Sequence, residues 1–95
     1  MNYFALIYDV IDDYVARRAA FRDEHLRYAD AANGRGELLL GGVFTDPVDK
    51  ALLIFRVKDA SVVEDFAIND PYVRNGLVKK WTVRPWTVVI GNQPY

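Results

Sequence analysis

Two stretches of the chain, NYFALIYDV (residues 2 to 10) and KALLIFRV (50 to 57), are apolar on both sides when read at the two-residue period of a β-strand. In the first, Tyr3, Ala5 and Ile7 point one way while Phe4, Leu6 and Tyr8 point the other. In the second, Leu52 and Ile54 alternate with Leu53, Phe55 and Val57. A sheet with one wet face alternates apolar with polar, so these strands belong to a sheet that is covered on both sides. The rest of the sequence provides only two substantial helices, enough for one side. The economical cover for the other is a second copy of the chain, packed sheet against sheet about a two-fold axis.

The remaining elements follow in order. Residues 12 to 33 read as a helix, with Asp12 and Asp13 at its positive end and Asn33, Gly34, Arg35 and Gly36 supplying a left-handed stop. ELLLGGVF (37 to 44) is a second strand in which Gly41 and Gly42 suggest a bulge or a close backbone approach, and TDPVD is a turn. After the 50 to 57 strand, Ser61 and Glu64 stand at capping-box spacing at the head of a second helix. It must stop near Asn69, because the residue before a proline is pushed out of helical geometry, and Pro71 then opens the short turn PYVRNG. VKKWTVRPWTVVI (78 to 90) is the last strand; Pro85 lacks an N–H for the ladder, which predicts a sheet edge. The order βαββαβ defines an α+β, ferredoxin-like fold: a four-stranded antiparallel sheet with helices on one face and the last strand at an edge. The tail GNQPY is expected to be loose.

At 95 residues, 52% of them hydrophobic and 26% charged, the chain is sized and balanced for one folded domain over residues 1 to 95. The formal charge of −1 provides no positive field for nucleic acid. The absence of cysteine excludes disulfides, thiolate zinc sites and thiol chemistry, and fits a cytoplasmic protein. No apolar run approaches the ~20 residues that span a bilayer, and no charged segment precedes the first apolar stretch, so no membrane association is expected.

One segment departs from this pattern. On a helical wheel of residues 12 to 33, the charged side holds Asp13, Arg17, Asp23, Glu24, Arg27 and Asp30. Arg18, Arg22 and His25, spaced i, i+4, i+7, fall instead among Tyr14, Phe21, Tyr28 and Ala29, on the face that should meet the sheet. Arginine stems can lie along apolar surface, and a core histidine can simply be hydrogen-bonded. The functional alternative is a cleft lined by the three, where an imidazole partly desolvated beside cations serves as a base. A carboxylate nearby would fix its tautomer. Asp70, in NDPYVRNG, is the candidate; Asp before Pro is also a common helix N-cap, and the two roles can coexist.

These residues resemble a known family. Arg18, Arg22, His25 and Leu26 in an RxxxRxxHL pattern, LLLGG on the second strand, and DPY followed by VRPW are similar to the YCII-related (YciI-like) family, over Tyr3 to about Val89. The resemblance implies a dimeric α+β barrel and an active site formed by a His and an Asp, which map onto His25 and Asp70. It further implies chemistry akin to that of members that dehydrochlorinate chlorinated hydroxyquinols, or of related barrels such as muconolactone isomerases and small-molecule monooxygenases. Many members carry a longer Gly- and Ser-rich segment where this chain has only TDPVDK, which implies a more open cleft or a different substrate.

The expected function is proton transfer by His25, oriented by Asp70, on a small cyclic or aromatic acid-like molecule, by elimination, isomerisation or lactone chemistry. Arg18 and Arg22 would hold an anionic group or an enolate. Tyr8, Tyr14, Phe44, Tyr72 and Trp81 are available for an apolar wall. No cofactor and no metal are called for, since a lone histidine with scattered carboxylates is a poor ligand set. The expected partners are a second copy of the chain, through the sheet faces, and a small-molecule ligand. A non-catalytic ligand-binding or sensing dimer and a plain dimerisation module are the rival readings. An RNA-recognition domain is disfavoured because KALLIFRV lacks the required aromatic spacing, and an acylphosphatase-like site because the first strand ends in the acidic DVIDD.

Overall fold

A computed structural model describes residues 1 to 91; the last four positions of the GNQPY tail lie outside the described residues. The strands are β1 (Asn2–Val10), β2 (Leu38–Val43), β3 (Lys50–Val57) and β4 (Val78–Pro85), and they form one antiparallel sheet in the order β2-β3-β1-β4. The helices are α1 (Tyr14–Arg18), α2 (Arg22–Gly34), α3 (Ala60–Asn69) and α4 (Pro71–Arg74). This is the ferredoxin-like arrangement, with each helical crossover divided into two pieces.

The alternation read from the sequence sets the two faces. Phe4, Leu6, Tyr8 and Val10 of β1 join Ala51, Leu53, Phe55 and Val57 of β3 in a core closed by Val63, Phe66 and Ala67 of α3, Tyr72 of α4 and Ala32 of α2. On the opposite face, Ala5 lies beside Ile54 and Ile7 beside Leu52, with Leu40 of β2 paired to Ile54. Leu40 is 71% exposed, so apolar surface stands open there in the single chain. The edge position of β4 agrees with Pro85, which is its last residue.

Four details differ from the sequence reading. The helix expected over 12 to 33 is interrupted at residues 19 to 21, where Phe21 leaves helical geometry (φ −120°, ψ 0°) and packs against the core. Ala19 and Ala20 favour helix, so burial of the Phe21 ring overrides local propensity. The cap of α3 is Asp59, whose carboxylate accepts from the backbone N–H of Ser61 at 3.0 Å, rather than the expected Ser61 and Glu64 box. The irregularity in β2 falls between Leu38 and Leu40, ahead of the Gly41–Gly42 pair. The last strand ends at Pro85 instead of 90: beyond it Trp86 N–H still donates to Tyr3 C=O at 2.9 Å, and the ladder stops.

The stop of α2 is as the sequence suggests, with Gly36 at φ +79°. Asn33 adds a side-chain bond to Leu38 C=O at 2.8 Å, which ties the helix end to the start of β2. That tie holds α2 across β2, and the space between them becomes the cleft described next.

Candidate functional site

Asp70 sits between α3 and α4. Pro71 prevents it from continuing α3, so its backbone turns to an extended conformation (φ −66°, ψ 126°) and its side chain caps α4, accepting from Tyr72 N–H at 2.9 Å. The residue is fully buried, the one buried charged side chain among the described residues. A buried carboxylate is costly unless its lone pairs are occupied. Here Oδ1 also accepts from His25 Nδ1 at 2.8 Å, and Oδ2 accepts from the Tyr8 hydroxyl at 2.7 Å.

His25 lies in the first turn of α2, just past the break at Phe21. Its ring stacks on Tyr72, with centroids 3.8 Å apart and planes 8° from parallel, and Tyr14 meets the edge of Tyr72 at 5.7 Å. With Nδ1 donating to Asp70, the neutral ring carries its proton on Nδ1 and its basic lone pair on Nε2. The side chain is 14% exposed and lines a cleft of about 290 Å³ between α1, α2, β2 and β3. Asp70 and Tyr72 thus hold the ring by an edge and a face, and among the described residues Nε2 has no hydrogen-bond partner.

Arg18 and Arg22 line the same cleft. Arg18 is half-buried with its guanidinium 5.3 Å above the Tyr14 ring, and Arg22 is exposed at the mouth. Neither makes an ion pair among the described residues, which leaves both guanidinium groups available to an anion. The break at residues 19 to 21 removes the continuous wheel on which their spacing was read. The three side chains nevertheless meet in one cleft, because both helical pieces face it.

The structure therefore brings together all four residues singled out from the sequence: His25 and Asp70 in contact, Arg18 and Arg22 around the same opening. Of the expected apolar wall, Tyr8, Tyr14 and Tyr72 line the cleft. Phe44 and Trp81 do not: Phe44 is 51% exposed beyond the end of β2, and Trp81 packs at the margin of the core. The sequence reading missed that β2 lines the cleft and that Tyr8 is a hydrogen-bond donor to Asp70. The second had a signal: alternation puts the Tyr8 hydroxyl on the buried face beside Leu6, and a buried phenol needs a partner.

Burial, then the Asp70 charge and the hydrogen bond to it, push the Tyr8 phenol far above the ordinary tyrosine range. Burial likewise raises Tyr28, to about 12, and Tyr72. Tyr28 donates to Phe66 C=O at 2.8 Å. These hydroxyls are donors throughout the neutral range. Among the described residues no three His, Asp or Glu side chains are grouped to hold a metal ion, and no helix is long and apolar enough to cross a membrane.

The sequence and the fold match a family. The chain belongs to the YCII-related domain family, whose profile covers residues 1–87. Its structure is similar to that of 5-chloro-2-hydroxyhydroquinone dehydrochlorinase (TftG) from Burkholderia phenoliruptrix AC1100, solved in complex with 2,5-dihydroxybenzoquinone. The TM-score is 0.78 at 19% identity, over 92% of this chain and 95% of that one. It is also similar to protein Atu4242 from Agrobacterium tumefaciens, with a TM-score of 0.60 at 13% identity over 94% of each chain. The fold is thus that of the YciI-like dimeric α+β barrels. No curated protein sequence matches the chain.

Two expectations follow from the geometry. Asp70→Asn can keep an amide oxygen toward Tyr72 N–H and His25 Nδ1 while its NH₂ donates to the Tyr8 hydroxyl, so it should cost at most about 1–2 kcal/mol. Asp70→Ala strands all three donors and should cost about 2–5 kcal/mol, more than the loss of a helix cap alone. Urea denaturation of the two variants checks this; equal, sub-kilocalorie losses would contradict the buried network. The second concerns alkaline pH. Because the folded-state values of Tyr8, Tyr28 and Tyr72 are raised, the stability they contribute is fully present below the unfolded tyrosine value of about 10 and is lost as pH climbs above it. Stability should therefore fall from about pH 10 upward, less steeply in Tyr8→Phe, as followed by thermal melting.

Proposed function

We propose that this chain is a small enzyme in which His25 is a general base, oriented by Asp70, for proton transfer on a small cyclic or aromatic acid-like substrate. The observation that carries the reading is the arrangement of the imidazole. Its Nδ1–H is committed to a buried carboxylate, its face is held against Tyr72, and Nε2 is left toward a cleft bordered by Arg18 and Arg22. A base needs its lone pair aimed at the substrate and its conjugate acid stabilised, and a carboxylate on the far nitrogen does both.

The residues divide the chemistry as follows. Nε2 takes a proton from a ring carbon or hydroxyl, and the electron pair left behind moves onto a ring oxygen as an enolate. Arg18 and Arg22 balance that negative charge where it develops, and Asp70 balances the imidazolium. From the enolate, departure of a leaving group with its electron pair completes an elimination, and return of the proton from His25 to a different atom completes an isomerisation. The likeness to a dehydrochlorinase that holds a dihydroxybenzoquinone supports a ring of that size and a hydroxyl-rich, acidic character for the ligand. The cleft volume agrees with a single six-membered ring and its substituents.

The working unit is a homodimer built through the open sheet face. Leu40 is exposed there and Ala5, Ile7 and Leu52 are partly exposed around the buried Ile54, and a partner sheet packed on them would bury the ~600 Å² or more per subunit that a stable interface needs. Sedimentation should give about twice 10.9 kDa at micromolar concentration. A monomer that persists there and melts cooperatively contradicts the dimer.

The catalytic reading is tested with 5-chloro-2-hydroxyhydroquinone and a panel of small aromatic and lactone acids as probes. On whichever probe the wild type turns over, His25→Gln should lose at least ~10²-fold in kcat and still bind the ligand. Normal turnover by that variant, or binding by the wild type with no turnover of any probe, overturns the reading in favour of a ligand-binding dimer.

A further inference from the structure

We infer that Tyr8 is a positioning residue for the His25 base: its hydroxyl, by occupying Asp70 Oδ2, holds the carboxylate so that Oδ1 faces His25 Nδ1 and the basic lone pair is confined to Nε2. This rests on the reading of His25 as a base and extends the site to β1, a strand on which neither His25 nor Asp70 lies.

The two carboxylate oxygens are unequally supported. Oδ1 has two donors, the Tyr72 backbone N–H at 2.9 Å and His25 Nδ1 at 2.8 Å, both from helices. Oδ2 has one, the Tyr8 hydroxyl at 2.7 Å, and Asp70 is fully buried, so no solvent stands in for it. Without that donor, Oδ2 is an orphaned acceptor that gains by turning toward the imidazole or by taking a proton, and either change disturbs the bond to Nδ1. Tyr8 is well placed to prevent it. Only 1% exposed, it lies in central strand β1, paired to Ala51 on one side and Trp81 on the other. A donor on a central strand is held more firmly than one on a loop.

The same position separates Tyr8 from the chemistry itself. Its only proton is given to Asp70, and burial beside that carboxylate keeps the phenol protonated, so it is a fixed donor and not a second base. The other charged or titratable groups around the pair are Tyr72 from α4, Tyr14 and Arg18 from α1, and Arg22, Tyr28 and Asp30 from α2. Lacking any bond to Asp70 Oδ2, none of them duplicates the role.

The test exploits the fact that His25 is the only histidine in the chain. Long-range ¹H–¹⁵N spectra of the imidazole, recorded without ligand, report its tautomer directly. The neutral imidazole of the wild type should be predominantly Nδ1–H, and Tyr8→Phe should populate the Nε2–H form. Tyr28→Phe, which removes a part-buried hydroxyl bound to Phe66 C=O, should leave the wild-type tautomer. A Tyr8→Phe protein that keeps the wild-type tautomer overturns the role of Tyr8 and leaves His25 as base. A wild type that is predominantly Nε2–H overturns the reading of His25 itself. Should Tyr8→Phe not fold, the wild-type Tyr8 hydroxyl proton remains diagnostic: it should be far downfield and slow to exchange, and its absence overturns the proposal. With a turned-over probe in hand, Tyr8→Phe should lower kcat by ~10-fold or more with KM little changed, the pattern of a misdirected base.

Discussion

A carboxylate buried to zero exposure is costly on its own, because the water it gives up must be replaced by donors held at the right distances. Asp70 meets that requirement with one donor each from β1, α2 and the first turn of α4. The same three bonds set the relation of those elements to one another. Tyr8 anchors the carboxylate to the centre of the sheet, Tyr72 N–H fixes the start of α4, and His25 draws the first turn of α2 over both. The site is therefore not added to a finished fold: the polar knot that lets Asp70 be buried is also what places the imidazole.

Around that knot the environment grades from dry to wet. Tyr8 and Asp70 are sealed, Tyr72 is buried with its ring face against the imidazole, His25 is partly open, Arg18 is half-buried and Arg22 is exposed. Groups that must not move or titrate lie deepest, and those suited to meeting an anionic ligand lie at the opening. A proton-transfer site benefits from this order, since a fixed orientation of the base and an accessible positive rim act on different parts of the same substrate. The short TDPVDK turn after β2 adds no lid to this opening. Asn33 ties the end of α2 to the start of β2, Ala32 and Leu38 share the core beneath, and the rest of β2 is held by its ladder with β3.

Much of this was legible in the residues. The two-faced apolar pattern of NYFALIYDV and KALLIFRV gave the two central strands, Pro85 placed the last strand at an edge, and Asp before Pro gave the cap at the α3 to α4 junction. The triad of Arg18, Arg22 and His25 stood out because charge occupied a face that period alone would make apolar. What could not be read was set by distant packing. Phe21 breaks a helix that Ala19 and Ala20 would continue, because its ring finds the core. Asp59 takes the cap from Ser61 because the chain enters α3 from β3 in an extended conformation. The strand ends at Pro85 although Thr87 to Ile90 have strong β propensity: Trp86 N–H still bonds Tyr3 C=O of β1, and the chain leaves the ladder after it. The contact between His25 and Asp70 spans 45 positions, and no local pattern encodes it; the residues offered Asp70 as a candidate carboxylate, and the resemblance to a family paired it with His25.

The central claim, that His25 presents Nε2 to a small acidic ring while Asp70 holds its other nitrogen, is tested most directly by a crystal structure soaked with 2,5-dihydroxybenzoquinone and small aromatic or lactone acids. Density for one ring is expected in the cleft, with an oxygen or an acidic carbon within about 3–3.5 Å of Nε2. An anionic oxygen should lie toward Arg18 or Arg22, and the bond between Nδ1 and Asp70 should be unbroken. Ligand bound elsewhere, or an imidazole turned away from Asp70 in the complex, would contradict it.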